Sequence, residues 1–159
     1  MMRVAVLTVS DRAAAGTLDD LSGDAVVAWV LARGAQLAAR DTVPDDTVQI
    51  AATLARWCDD TVAELVITTG GTGLGPRDVT PEATRVVIGR EAPGIAEAIR
   101  AAGREAVATA ALGRGIAGCR GRTLIVNLPG APAAVRDGLA VLDPLVDHAV
   151  RLLAGDTEH

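Results

Sequence analysis

The sequence predicts a three-layer α/β/α fold with a mostly parallel central sheet. Three observations predict it. Apolar, β-branched runs at residues 3–10, 64–69 and 122–127 read as buried strands. Segments with apolar residues at helical spacing lie between them. The points where a strand would leave the sheet are rich in Gly, Asp, Ser and Pro, and strands alternating with helices in this way build parallel sheets.

The elements follow in order. Arg3 to Ser10 is the first strand, and Asp11 to Gly23 a loop. A helix comes next, with Ser22 as N-cap, Val26, Trp29 and Val30 on one face, and Gly34 as its stop. Gln36 to Val43 is a second strand. Pro44-Asp45-Asp46 opens a helix in which Asp46 and Gln49 resemble a capping box, and Ile50, Leu54 and Trp57 share a face. Glu64 to Thr69 is a third strand that runs directly into Gly70-Gly71-Thr72-Gly73. Thr80 then Pro81 form a cap and first-turn pair. Pro93-Gly94 breaks that helix, and Ile95 to Ala102 begins another. Val107 to Leu112 and Arg122 to Asn127 read as strands, an antiparallel pair joined by a glycine-rich turn. Leu128-Pro129-Gly130 is a turn before a helix from Pro132. Asp143-Pro144 breaks it, and a last amphipathic helix carries Leu145, Val146, Ala149, Val150 and Leu153. The expected organisation is one domain over residues 1–155, with a loose tail at 156–159.

Composition narrows the function. The net charge is −5, all 15 basic residues are arginine, and lysine is absent. A Walker-type phosphate lysine, a Schiff-base lysine and a lysyl-adenylate are thereby excluded. The two histidines, His148 and His159, leave no basis for a His-centred triad or a multi-His metal site. Phe and Tyr are missing, so Trp29 and Trp57 are the only rings, and both read as core. Stacking on single-stranded nucleic acid has almost nothing to use, and the acidic balance also argues against nucleic acid. Cys58 and Cys119 are not spaced as a metal or redox motif, which suits a reducing compartment. Val4 to Val9 is too short to span a membrane. The expected location is the cytoplasm.

Ligands of such a sheet sit beyond the carboxyl ends of the strands. Four loops meet that condition: 11–23, 43–47, 70–80 and 128–131. The segment ITTGGTGLGPRDVTPEAT is the most informative. Its glycines allow close backbone approach and turn N–H groups toward an anion, with Thr69 and Thr72 adding hydroxyls. A flexible turn is the plainer reading; its fixed place after a buried strand favours a phosphate cradle. Asp78 is either a helix-leading acid or a Mg²⁺ ligand that polarises a reacting phosphate. Asp46 fills the capping role, which leaves Asp45 without a structural task and favours function for it. Ser10 and Asp11 read as loop entry, Asp20, Ser22 and Gly23 as turn and cap. Asn127 reads as a polar residue satisfied by turn backbone. Ala131 offers no capping side chain, so the N–H groups of the following helix meet either water or an anion. Arg77, Arg114, Arg120 and Arg122 are candidate cationic partners.

Together, TVSDRAAAGTLDDLSGDAV, the VPDD turn, TTGGTGLGPRDVTPEAT and LIVNLPGAPAAV resemble the molybdopterin adenylyltransferase family of molybdenum-cofactor biosynthesis proteins, which includes the G domain of gephyrin-like proteins. The resemblance runs from about Val4 to Leu153 in the same order. It implies a three-layer α/β fold assembled as a homotrimer, and adenylation of molybdopterin by ATP with Mg²⁺, giving adenylyl-molybdopterin and diphosphate. A downstream molybdate-insertion protein would use that product. By motif, the catalytic and Mg²⁺-binding acids fall on Asp45 and Asp78, and the nucleotide-phosphate loop on Thr69, Gly70, Gly71, Thr72 and Gly73. Ser10, Asp11, Asp20, Ser22, Asn127, Pro129 and Gly130 would complete the substrate pocket. Gly113 stands where relatives commonly carry serine. That departure motivates the alternative, a non-catalytic or weakly active molybdopterin- or nucleotide-binding member of the same family; a trimeric scaffold protein ranks below it.

Overall fold

In the computed structural model, which describes residues 1–157, alternating side chains of a six-stranded sheet feed two separate apolar layers. The strands are β1 (Arg3–Val9), β2 (Gln36–Val43), β3 (Leu65–Thr69), β4 (Arg90–Glu91), β5 (Ala117–Arg120) and β6 (Thr123–Leu128). Their order is β2-β1-β3-β6-β5-β4. The first four of these run parallel; β5 is antiparallel to both β6 and β4.

The period of two explains the layering. Val4, Val6, Leu65, Ile67, Leu124 and Val126 point to one face, under α2 (Leu21–Ala32), α5 (Pro93–Ala106), α6 (Pro132–Leu142) and α7 (Val146–Ala154). Ala5, Leu7, Val9, Val66 and Ile125 point to the other, under α3 (Thr47–Asp59) and α4 (Thr80–Val87). Leu, Ile, Val and Ala fill both layers, and Trp57 is buried in the second. The three-layer expectation therefore holds. No helix among the described residues is long and apolar enough to cross a membrane. Residues 158 and 159 of the expected tail lie outside the described residues.

Several local expectations are corrected. Val107–Leu112 is not a strand: 108–112 form a 3₁₀ segment, and β5 follows at Ala117–Arg120. The antiparallel partner of β6 is thus a Gly-Cys-containing strand that propensity disfavours, recruited by pairing with a buried neighbour. The first loop contains a short helix, α1 (Asp11–Ala14), capped by Ser10 Oγ, which accepts from the N–H of Ala13 at 3.2 Å. The cap of α2 is Asp20, whose carboxylate accepts from Gly23 N at 2.9 Å, rather than Ser22. Val79, not Thr80, stands at the cap of α4; Thr80 instead donates its hydroxyl to the carbonyl of Gly70 at 2.9 Å. Pro93 starts α5 instead of breaking a helix there, because its missing N–H is no loss in a first turn. Trp29 is only half-buried: its indole N–H donates to Asp143 at 3.1 Å while Arg33 stacks 4.7 Å from the ring centre. The Asp46 cap of α3 is as expected, accepting from Gln49 N at 2.9 Å.

Asn127 faces the α3/α4 layer and ties three elements together. Its amide donates to Thr68 Oγ1 at 2.9 Å and Thr84 Oγ1 at 3.0 Å, and its oxygen accepts from Ile116 N at 3.1 Å. Replacing it with the near-isosteric Leu would strand the buried Ile116 N–H and remove the donor to two buried hydroxyls. An unmet buried donor costs about 1–3 kcal/mol. Asn127→Leu is expected to lower unfolding free energy by roughly 3 kcal/mol in chemical denaturation.

Candidate active site

Four strand exits converge. Gly70 N donates to Leu128 O at 3.1 Å, joining the ends of β3 and β6. Ser10 N donates to Val43 O at 2.9 Å, joining β1 and β2. Gly70 adopts φ +90°, and a Cβ there would lie 2.3 Å from the carbonyl oxygen of Val9. The glycine is therefore required by the close approach of β1, before any ligand is considered.

Two cavities flank this crossing. The larger, about 570 Å³, lies between the Gly71–Gly73 backbone, Asp78 and the apolar walls of α5, the 3₁₀ segment and α6. The smaller, about 350 Å³, lies over Ser10, Asp20, Ser22, Thr69 and Gly70. Gly130 lines both. Volumes of this order suit small ligands. Asp11 and Asp45 border neither cavity, and the other sequence candidates are divided between the two. Gly71, Thr72, Gly73, Asp78, Asn127 and Pro129 border the large cavity; Ser10, Asp20, Ser22, Thr69 and Gly70 border the small one. Asn127 borders it while its amide is committed to the interior, as described. The α6 N-terminus has no capping side chain, and its first residues edge both cavities.

Both acids lie against the glycine loop. Asp45 Oδ1 lies 3.0 Å from where a Gly71 Cβ would sit. Asp78 Oδ2 lies 2.9 Å from the equivalent points of Gly73 and Gly75, so the carboxylate rests over glycine backbone where a Cβ would push it aside. Asp78 Oδ2 also accepts from Gly75 N at 3.0 Å. Asp45 has a structural task that the sequence did not reveal. It and Asp11 exchange hydrogen bonds, each N–H donating to the other's carboxylate at 3.0 Å. Arg77 in turn grips Asp11 through Nε at 2.9 Å and Nη2 at 3.0 Å. Arg77 thus fastens the glycine loop to the β1 exit.

Burial raises the pKa of Asp45 above the usual carboxylate range; the Asp11 N–H opposes this, and the charges of Asp11 and Asp78 add to it. A raised folded-state pKa means that the fold holds this proton more tightly than the unfolded chain. Stability therefore falls as pH rises from the unfolded Asp value, about 4, through the raised one. Asn can keep the Asp11 bond without the charge. Asp45→Asn is expected to melt above wild type at pH 7, with the gap closing below about pH 4, in calorimetric scans across pH.

In the small cavity, burial works to raise Asp20's pKa, but hydrogen bonds from Thr8, Gly23 N and Arg40 outweigh it and hold Asp20 ionised below the usual range. Thr8 Oγ1 donates at 2.6 Å and Arg40 Nη2 at 3.0 Å. Ser22 and Thr69 hydroxyls meet at 3.2 Å beside it. Thr8 and Arg40 escaped the sequence reading. A hydroxyl at the end of an otherwise apolar strand was the available signal.

The candidate cations are mostly engaged within the protein. Arg120 pairs with Asp59 at 2.8 Å. Arg114 donates from Nε to Gly73 O at 2.7 Å, from Nη2 to Asp78 O at 2.8 Å, and from Nη1 to Glu82. Arg100 of α5, also unforeseen, donates to Gly115 O at 2.7 Å and lines the large cavity. Burial pushes the Cys58 thiol up to about 11, so no activated thiol exists there.

Residues 5–148 match the family model described as "Probable molybdopterin binding domain". The chain belongs to this family. Membership extends over nearly the whole sheet and both cavities. Among curated relatives, proteins named molybdopterin adenylyltransferase from Helicobacter pylori J99 and Haemophilus influenzae are each 39% identical, over 98% and 87% of this chain and 89% and 72% of their own lengths. A molybdenum cofactor biosynthesis bifunctional protein of Chlorobaculum tepidum is 39% identical over 97% of this chain, which spans only 49% of that protein. The solved molybdopterin biosynthesis enzyme MoaB of Thermus thermophilus superposes with a TM-score of 0.91 at 44% identity, covering 98% of each chain. The Mog protein of Mycobacterium ulcerans gives 0.91 at 40% identity, covering 96% of this chain and 99% of its own.

Proposed function

We propose that this protein adenylates molybdopterin with MgATP, releasing diphosphate. The observation that carries the reading is that Asp78 borders the large cavity while Asp45 packs against Gly71 of the same glycine loop, in a chain that matches relatives named for this activity along most of its length. A terminal phosphate oxygen of molybdopterin would attack the α-phosphorus of ATP. The P–O bond to the β-phosphate would break, and diphosphate would leave. Substrate supplies the nucleophile, so the chain needs no activated Ser, Lys or His. Alignment and charge neutralisation carry such transfers.

The residues fit a substrate-bridged Mg²⁺. No group of three or more potential ligand side chains stands together among the described residues. Asp45 and Asp78 both lie against the glycine loop, and Mg²⁺ is commonly held by one or two carboxylates with phosphates and water completing the shell. When bound, the ion would neutralise phosphate charge. Asp45 and Asp78 would hold it; the backbone N–H groups of the glycine loop and the uncapped start of α6 would orient phosphates. The apolar walls of the large cavity would exclude water from a ligand's ring system.

A second reading, binding without turnover, rests on Gly113. A Cβ at this position would lie 3.2 Å from Ala110 O, in the tight turn where Gly113 N donates to that same carbonyl. Glycine thus suits the local turn, and no hydroxyl is offered there. One experiment decides between the readings. Purified protein, molybdopterin, ATP and Mg²⁺ should yield adenylylated pterin and diphosphate by mass spectrometry; binding with no product would select the second. A homotrimer, a cytoplasmic location and transfer of product to a molybdate-insertion partner belong to the same proposal, and light scattering tests the first of these.

A further inference from the structure

Arg114 does not line either cavity, and each of its guanidinium nitrogens already donates to a partner: two backbone carbonyls and Glu82. Its partners are nonetheless telling. Gly73 O and Asp78 O bracket the exposed segment 74–77, and Arg114 N donates to Thr72 O at 2.8 Å. Within that turn, the internal ties are Gly75 N to the Asp78 carboxylate and Asp78 N to Gly75 O, both 3.0 Å. Glycines at 70, 71, 73 and 75 give this stretch a large conformational freedom to lose. Arg77 ties its exposed part to Asp11, and Arg114 braces its two ends. Arg100 completes the chain of contacts, since it holds Gly115 O from the α5 wall.

We propose that Arg114 is the positioning residue for Asp78: its planar fork clamps both ends of the 73–78 turn, so that the carboxylate stays aimed at the reacting phosphates. The catalytic part of this inference rests on the proposed adenylation. Lysine cannot reproduce the clamp, because one ammonium cannot serve three acceptors that a rigid fork reaches in different directions. Misplacing a catalytic group by about 1 Å can cost on the order of a hundredfold in rate.

The test uses Arg114→Ala and Arg114→Lys in the intact chain, with two readouts. Hydrogen exchange of the Gly75 and Asp78 amides should quicken in both variants, while the amides of β3 stay as protected as in wild type. In steady-state adenylation, kcat should fall by about a hundredfold with KM for ATP and molybdopterin within about threefold, and added guanidinium should partly restore the Ala variant but not the Lys variant. Unchanged exchange in the turn, an unchanged kcat, or a rise in KM alone would overturn the assignment. If the wild-type protein makes no product, the adenylation reading fails, and exchange still decides whether Arg114 holds the turn. Arg114→Lys keeps the charge and the aliphatic stem, so it serves if the Ala variant does not fold.

Discussion

Asp78→Asn is expected to cut adenylation turnover by at least about a hundredfold. The melting temperature should stay within about 2 °C of wild type. The two outcomes separate because the side chain's structural and chemical tasks use different properties. Structurally, Asp78 Oδ2 accepts from Gly75 N, and an amide oxygen in the same place can do this equally well. Chemically, the proposal needs a negative charge over the backbone of Gly73 and Gly75, near enough to Asp45 for the two charges to repel. Asn keeps the shape and removes the charge. The measurement is single-turnover formation of adenylylated pterin, alongside a thermal melt. Wild-type turnover in Asp78→Asn would remove Asp78 from the reaction. A large fall in melting temperature would show that the loop needs its charge to fold.

Gly70→Ala is expected to damage the fold itself. Gly70 holds φ +90°, which costs an L-residue about 1–3 kcal/mol. Its Cβ would sit 2.3 Å from Val9 O, a backbone atom at the end of a central strand that has no room to retreat. Gly130 packs on the other side, its own Cβ position 3.4 Å from Gly70 Cα. The clash therefore pushes β1 away from β3 where both cavities begin. A loss of at least about 3 kcal/mol, or roughly 6–12 °C in melting temperature, is expected. Nucleotide and pterin binding should fall with it, because residues of both cavities hang from this crossing. By contrast, Gly16, Gly34 and Gly121 have positive φ with open space around them, and alanine there should cost only the backbone strain.

The glycine loop shows how far residue patterns reach. Its glycines read as room for a phosphate. In the fold, Gly70 makes room for Val9 O, Gly71 for Thr80 Oγ1 and Asp45 Oδ1, and Gly73 for Asp78. The segment was located from its position after a buried strand, but the reason for glycine at each place comes from neighbours distant in sequence. Asp45 follows the same logic. Elimination assigned it to function because Asp46 filled the cap. Its reciprocal pairing with Asp11, 34 residues away, gives it a structural role as well. Arg77 and Arg114 read as candidate cationic partners, and tertiary contacts engage both in holding the loop.

Residue order alone settled the layered α/β architecture, the strands β1, β2, β3 and β6, the Asp46 cap and the four loops from which a site could be built. These depend on period-two and period-3.6 apolar patterns and on capping chemistry, which act over a few residues. Folding in three dimensions decided that the 107–112 segment coils rather than extends, that β5 begins at Ala117, that Asp20 caps α2 under a hydroxyl from Thr8, and that the pocket divides into two cavities meeting at Gly130. Each of these is set by a partner far along the chain. Short segments rich in Gly and Ala have weak preferences of their own, so the pairing edge of β6 and the walls around it dictate what they become.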